Sequence, residues 1–248
     1  MPLVGTRELS AFEGGPLVTE MAGDKWELAG SGILQLMYEV DGAAVTSLLP
    51  PALHPTVPPT VIFTVTNVPD SPAGPFVLAE AKVGCRSGAR PRGLSLGAYC
   101  NSPEAVAVLS SRWGYPLKLA ECSLTKRYDR IQGTVESAGR VILDMTLLNP
   151  EPISGQDLLY LSVLNTARIT RDGEELPRLV QVDPDFVFRS ADRGKPMLET
   201  FDAPAFGLAE AKPVHAVSAS YAVADIAMPE LRYLVDPSQP PLKAVERL

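Results

Sequence analysis

Trp113-Gly114-Tyr115-Pro116-Leu117-Lys118-Leu119 ends one helix and turns the chain back toward a sheet. The helix before it has the clearest start in the sequence. Asn101 or Ser102 can cap it, Pro103 takes the first helical position, and Glu104 suits the positive end of the helix dipole. The pattern runs to about Ser111 or Trp113 and stops at Gly114, with Pro116 just beyond. Lys118 therefore sits just past a helix end, where a loop re-enters a sheet.

Outward from this stretch, strands dominate. Thr60 to Val68 is β-branched, with Thr64 and Thr66 alternating with Phe63 and Val65. Ile33 to Val40 is apolar and of strand length. A short helix from about Ala43 to Leu49, capped by Asp41, leads into a proline-rich crossing at Pro50, Pro51 and Pro55. Pro69 to Pro75 is a loop, and Phe76 to Cys85 resumes as strand. Ser87 to Gly93 is a basic turn, and Leu94 to Tyr99 is a further strand. Cys122 to Tyr128, Gly133 to Ser137 and Val141 to Leu148 follow as strands. Gln156 to Ile169 reads as a strand with a bulge, and Asp172-Gly173 as a hairpin turn. Leu179 to Val182, Val187 to Ser190 and His215 to Met228 complete the set. About a dozen strands against two or three short helices predict a mainly β (α+β) fold, a curved, barrel-like antiparallel sheet.

The 248 residues suit one domain, and no repeat or linker divides them, so 1–248 is taken as a single unit. A 46% hydrophobic fraction supports a substantial core, and 21% charged residues is ordinary for a folded chain. The net charge of −7 argues against nucleic acid or an anionic membrane as partner. No long apolar run predicts a transmembrane helix, and Met1 to Glu13 lacks the form of a secretory signal. The expected location is the cytoplasm. Cys85, Cys100 and Cys122 match no zinc spacing and read as buried free thiols. With only His54 and His215 available, a metal site built on several histidines is excluded, and no metal or cofactor is expected. No phosphate loop, dinucleotide fingerprint or Ser-His-Asp order occurs.

The heptapeptide resembles the active-site stretch of the acetoacetate decarboxylase family, in which Tyr-Pro precedes two lysines and a leucine. The likeness extends over roughly residues 31 to 229, through Leu48-Leu49-Pro50, through Phe63 to Glu80 with Val68-Pro69-Asp70, and through Val214 to Pro229. It implies a family-like sheet around an apolar cavity, a small-molecule substrate, and a homo-oligomer. It also carries over residue roles. The family's Schiff-base lysine falls on Leu117, its neighbour on Lys118, one carboxylate on Glu80, the other on Thr64, and the arginine for a substrate carboxylate near Ser31. The defining amine is therefore missing. An amine must lose its proton to attack a carbonyl, and lysine ordinarily titrates at about 10 unless apolar surroundings or a second cation lower that value. Lys118 has no adjacent lysine, and Leu117 makes the pocket more apolar.

Lys118, Glu80 and Tyr115 are the candidate catalytic residues. Thr64, Leu117, Tyr99, Arg86, Phe63 and Trp113 are the candidate substrate contacts. Each has a plainer reading: a loop or strand ion pair for Lys118 and Glu80, core packing for the aromatic residues, and solvated surface for Arg86, Arg90 and Arg92. The leading expectation is a cofactor-free enzyme, a cyclase, isomerase or lyase of specialised metabolism, acting on a carbonyl-bearing, polyketide-like apolar metabolite without the usual lysine. The alternatives are a decarboxylase or aldolase-dehydratase using Lys118 as the amine, and a non-catalytic small-molecule binding protein.

Overall fold

The computed structural model describes residues 3–21, 23–88 and 90–248. Met1 and Pro2 of the N-terminal stretch, and Ala89 of the basic turn, lie outside the described residues. The strands are β1 (Leu17–Val18), β2 (Trp26–Val40), β3 (His54–Pro55), β4 (Thr60–Val68), β5 (Phe76–Ser87), β6 (Arg90–Cys100), β7 (Leu117–Leu119) and β8 (Glu121–Lys126). They continue as β9 (Arg130–Ser137), β10 (Arg140–Pro152), β11 (Val163–Arg171), β12 (Glu174–Val182), β13 (Asp185–Phe201), β14 (Pro213–Met228), β15 (Tyr233–Val235) and β16 (Val245–Arg247). Among the described residues two α-helices, α1 (Gly42–Leu48) and α2 (Pro103–Trp113), accompany them.

All sixteen strands join one sheet. Its path is β16-β15-β12-β11-β6-β5-β4-β2-β14-β13-β10-β9-β8, with β1 attached to β11, β3 to β5, and β7 to β6. Among the described residues the two ends of the path do not pair, so the expected curved sheet is open. Most pairings are antiparallel; β1–β11, β6–β11 and β6–β7 are parallel.

Both helices start and stop as their end residues dictate. Asp41 accepts hydrogen bonds from the Ala43 and Ala44 amides at the start of α1. Ser102 accepts from the Ala105 amide at the start of α2, and Gly114 ends α2 in the left-handed region at φ 66°. A Cβ on Gly114 would also lie 2.7 Å from the Ala167 Cβ, so packing as well as backbone geometry demands glycine there.

Strands β4 and β5 are buried almost throughout, with only Asn67 and Arg86 exposed. They lack a clean polar alternation because a core packs on each of their faces. One cluster takes Leu34, Leu36, Phe63, Val65, Ala79 and Ala81. The other takes Ile33, Val68, Phe76 and Leu78, with Leu109, Trp113 and Tyr115 from α2 and its exit.

The structure corrects several boundaries: the expected basic turn from Ser87 to Gly93 is largely strand, with Ser87 ending β5 and Arg90 to Gly93 opening β6. Gln156 to Ser162 is not strand: Gly155–Asp157 forms a single 3-10 turn and Leu158 to Ser162 runs irregularly before β11. Within this unpaired run, Tyr160 and Leu161 line a cavity, described below, while Leu159 is exposed. The expected Val187–Ser190 strand is the opening of the 17-residue β13, whose Gly194 and Pro196 hid its continuation. The Asp172-Gly173 turn is as expected, with both residues at positive φ, 54° and 85°.

Candidate active site

Antiparallel register places the site. Gln35 on β2 lies opposite Thr64 on β4, and Thr64 lies opposite Glu80 on β5. Glu80 pairs with Ala98 on β6, and Ala98 pairs with Leu117 on β7. One row of side chains thus crosses five neighbouring strands on one face. The next row places Ile33, Thr66 and Leu78 together, and Lys82 follows Glu80 two residues along β5. Residues i and i+2 of a strand share a face, so Glu80 and Lys82 point the same way.

They point into a cavity of about 80 Å³. Its walls are largely apolar, with Leu28, Ile33, Val68, Phe76, Leu78 and Met228 among them. Gln35, Thr64, Thr66, Glu80, Lys82, Tyr115 and Tyr160 supply the polar groups. The Lys82 ammonium donates to Glu80 Oε2 at 3.2 Å, and the two side chains are only 9% and 7% exposed. The other carboxylate oxygen, Oε1, is buried with no hydrogen-bond partner, and so is the Thr64 hydroxyl. The Tyr160 hydroxyl is a third such atom, so three polar atoms of the cavity lining lack the partner that buried polar groups almost always have. Gly93 on β6 lets the Lys82 stem approach: a Cβ there would sit 2.9 Å from the Lys82 Cβ and 3.1 Å from its Cδ.

Tyr115 reaches the cavity because the left-handed Gly114 breaks α2 immediately before it, and the Ser110 hydroxyl donates to the Tyr115 carbonyl. Burial, reinforced by the Glu80 carboxylate, holds its phenol well above the ordinary value, so it stays neutral and able to donate. Burial likewise raises the Tyr160 phenol, an effect opposed by the Ser220 hydroxyl. Tyr160 packs against Phe186 and Phe188 at ring-centroid distances of 5.4 and 5.6 Å. Gln35 Nε2 donates to the Leu159 carbonyl at 3.3 Å and tethers the irregular Leu158 to Ser162 segment over the cavity.

The residues singled out in the sequence separate. Glu80, Tyr115 and Thr64 line the cavity. Leu117 packs against the cluster on the cavity side of the sheet, about two strand spacings, or 10 Å, along the row from Glu80. Lys118, the next residue on the strand, faces the opposite side. It is exposed, with Nζ 5.9 Å from the centre of the Tyr99 ring, and it does not line the cavity. Tyr99 donates its hydroxyl to the Ala205 carbonyl, and Phe63 packs edge-on to Phe201 at 4.7 Å; both belong to the other core. Trp113 donates to the Pro229 carbonyl and packs on Trp26, outside the cavity wall. Arg86 is exposed beside His54, away from the cavity. Arg92 is not solvated surface: it is buried and paired with Asp183. Ser31 is buried and donates to the Leu28 carbonyl.

The sequence reading missed Lys82, Gln35, Thr66 and Tyr160. Lys82 carried a usable signal, since Glu80-Ala81-Lys82 sets two opposite charges at strand spacing inside an otherwise apolar run. Gln35 carried a weaker signal, a lone polar residue within the apolar Ile33-Leu34-Gln35-Leu36.

All three cysteines are buried and unpaired, and burial raises the Cys85 and Cys122 thiols to about 12. Among the described residues no group of three or more His, Cys, Asp or Glu side chains is placed to hold a metal ion. Among the same residues no helix is long and apolar enough to cross a membrane.

Known proteins share this architecture. The profile of the family described as acetoacetate decarboxylase matches residues 19–238. A search of curated proteins finds no significant match. The crystal structure of acetoacetate decarboxylase from Legionella pneumophila is similar, with TM-score 0.75 and 22% identity over 84% of this chain and 86% of that one. The enduracididine biosynthesis enzyme MppR, complexed with the condensation product of pyruvate and imidazole 4-carboxaldehyde, gives TM-score 0.70 at 18% identity over 88% and 92%. An acetoacetate decarboxylase-like enzyme from Sphingomonas wittichii RW1 gives 0.63 at 16% identity over 92% and 100%. With the family profile spanning most of its length and the same fold in these structures, the chain belongs to the acetoacetate decarboxylase family.

Proposed function

We propose that this protein is a cofactor-free enzyme acting on a compact carbonyl compound, with the Glu80–Lys82 pair performing acid–base chemistry in the cavity. The observation that carries the reading is the buried ion pair whose second carboxylate oxygen lacks a partner. An ammonium has three donors, so Lys82 can hold Glu80 with one and a substrate carbonyl oxygen with another. Glu80 Oε1 then takes a proton from the carbon next to the carbonyl. The C–H electron pair moves into the new C=C bond, and the oxygen becomes an enolate facing Lys82. Where a C=C bond is conjugated to the enolate, return of that proton to the γ-carbon gives isomerisation. Where a β-hydroxyl is present, the enolate electrons re-form the carbonyl and the new C=C bond, the C–O bond breaks, and the hydroxyl takes the proton and leaves as water. Tyr115, kept neutral, donates to the same region. The cavity of about 80 Å³ favours a small substrate over an extended polyketide-like one, since pockets for drug-sized ligands run to roughly 300–1,000 Å³.

A second reading uses Lys82 as the attacking amine, favoured by its burial among apolar walls and by Glu80 as an adjacent proton acceptor. In the ion pair the ammonium has no free lone pair, so attack must wait for Glu80 to take its proton. An amine route through Lys118 requires a substrate held at the surface beside Tyr99. A silent binding protein needs only the cavity. The proposal includes a homo-oligomer, implied by the family and readable by light scattering, and a cytoplasmic location.

Reductive trapping separates these readings. The protein is incubated with pyruvate, acetoacetate and 4-hydroxy-2-butanone, treated with borohydride, and read by intact mass and peptide mapping. α-Proton exchange in deuterated water is followed by NMR in parallel. Exchange without a trapped adduct is the expected result. An adduct on Lys82 or Lys118 transfers the chemistry to the corresponding amine. Ligand binding with neither exchange nor adduct leaves the binding protein.

A further inference from the structure

The cavity is balanced in charge, and that selects the kind of molecule it takes. Among the described residues lining it, Glu80 is the only carboxylate and Lys82 the only cation, and they neutralise each other at 3.2 Å. The remaining polar groups, on Gln35, Thr64, Thr66, Tyr115 and Tyr160, carry no charge. The position where the family resemblance places an arginine holds Ser31, whose hydroxyl is already used on the Leu28 carbonyl. The other buried arginines are committed elsewhere. Arg92 pairs with Asp183, Arg178 pairs with Asp236 and Glu246, and Arg112 donates to the Asp24 carbonyl while lying over Trp26 and Trp113. A substrate carboxylate would therefore be desolvated among apolar walls, next to Glu80, with the charge of the one ammonium already balanced by that carboxylate. Burying a charge without its own partner is strongly unfavourable.

Glu80 Oε1 adds a second condition. It is a buried acceptor with nothing donating to it, and an ionised carboxylate oxygen can only accept. A ligand that completes it must bring a donor. The Thr64 hydroxyl, directly across the strand pair and also unpartnered, can donate to or accept from the same molecule.

We infer that the cavity takes an uncharged, hydroxyl-bearing carbonyl compound of about four carbons, and not a keto acid. This rests on the cavity being the substrate site, as argued above. The carbonyl oxygen meets Lys82, the hydroxyl donates to Glu80 Oε1, and the carbon between these two ends lies beside the same carboxylate. A β-hydroxy ketone has this layout.

The test compares three ligands of similar size, 4-hydroxy-2-butanone, 2-butanone and acetoacetate, by calorimetric titration of the full-length protein. 4-Hydroxy-2-butanone is expected to bind about tenfold or more tightly than either of the others, the factor associated with one hydrogen bond to a charged group. In Glu80→Gln, which frees the Lys82 ammonium, the order reverses and acetoacetate gains about tenfold or more. The wild-type ranking tests the inference even if that variant does not fold. Acetoacetate binding wild type as tightly as the hydroxyketone overturns the inference and leaves the site in place. Equal binding of 2-butanone overturns the role of the hydroxyl. Binding of none of the three removes the proposed substrate site and this inference with it.

Discussion

The two faces of strands β4 and β5 carry the same backbone and the same burial but opposite chemistry. On one face Phe63, Val65, Ala79 and Ala81 interlock with Leu34 and Leu36 and leave no polar atom to satisfy. On the other, Thr64, Thr66, Glu80 and Lys82 line a cavity, and two of their polar atoms lack partners. The first face is optimised for packing. The second carries buried polar groups without partners beside a cavity, and the proposed site rests on that combination. The same alternation explains the two lysines: Lys82 shares the cavity face with Glu80, whereas Lys118 is turned away from Leu117 by the one-residue step along β7.

Substitutions on the two faces should fail in different ways. Lys82→Met leaves Glu80 buried and unpaired. It is expected to lower stability by about 3–5 kcal/mol and catalysis by about 10²–10⁴-fold. Phe63→Ala, on the packed face, should cost about 3–5 kcal/mol while the folded fraction keeps its activity. Chemical denaturation with activity normalised to folded protein distinguishes the two, and a Phe63→Ala protein as inactive as Lys82→Met would erase the contrast.

The double change Glu80→Leu with Lys82→Met replaces the ion pair by apolar volume. Its stability is expected within about 1–2 kcal/mol of wild type, with no recovery of activity. A double variant as unstable as the single one would mean that the pair, and not the unpaired charge, holds this wall together.

Gly93→Ala pushes a methyl group against the Lys82 stem. Overpacking of this kind costs about 1–3 kcal/mol, and the displaced ammonium should lower activity more than the stability loss accounts for.

Alkaline titration gives the smallest contrast. Burial raises the Cys85 and Cys122 thiols to about 12 from an ordinary 9.0. For a group whose folded value is raised, the stabilisation is complete below the unfolded value and disappears as pH climbs through the folded one. Melting temperature should therefore hold steady through neutral pH and fall between about pH 9 and 12. Cys85→Ala, on the packed face, should flatten that fall, and an unchanged slope would remove the thiol as its cause.

Much of this was legible in the sequence, for reasons that differ by residue. The caps at Asp41 and Ser102 and the stop at Gly114 are local, so both helices could be read directly. Strand β4 was readable from its β-branched content, and Glu80, Thr64 and Tyr115, singled out in the sequence, line the cavity. Lys82 was not, because the family resemblance drew notice to the lysine beside Leu117, while the pairing of Glu80 with Lys82 depends on both facing one cavity. The segment Leu158 to Ser162 failed for a related reason: an apolar run covering a pocket has the same composition as a strand. Which way Lys118 points required knowing that Leu117–Leu119 is a strand and not a loop.

The most direct test is deuterium exchange at the α-carbons of 4-hydroxy-2-butanone, followed by NMR for wild type, Lys82→Met and Lys118→Ala. Exchange by wild type and Lys118→Ala, with loss in Lys82→Met, is the result expected of a cavity-face pair. Exchange that survives in Lys82→Met, or that vanishes in a folded Lys118→Ala, would contradict it.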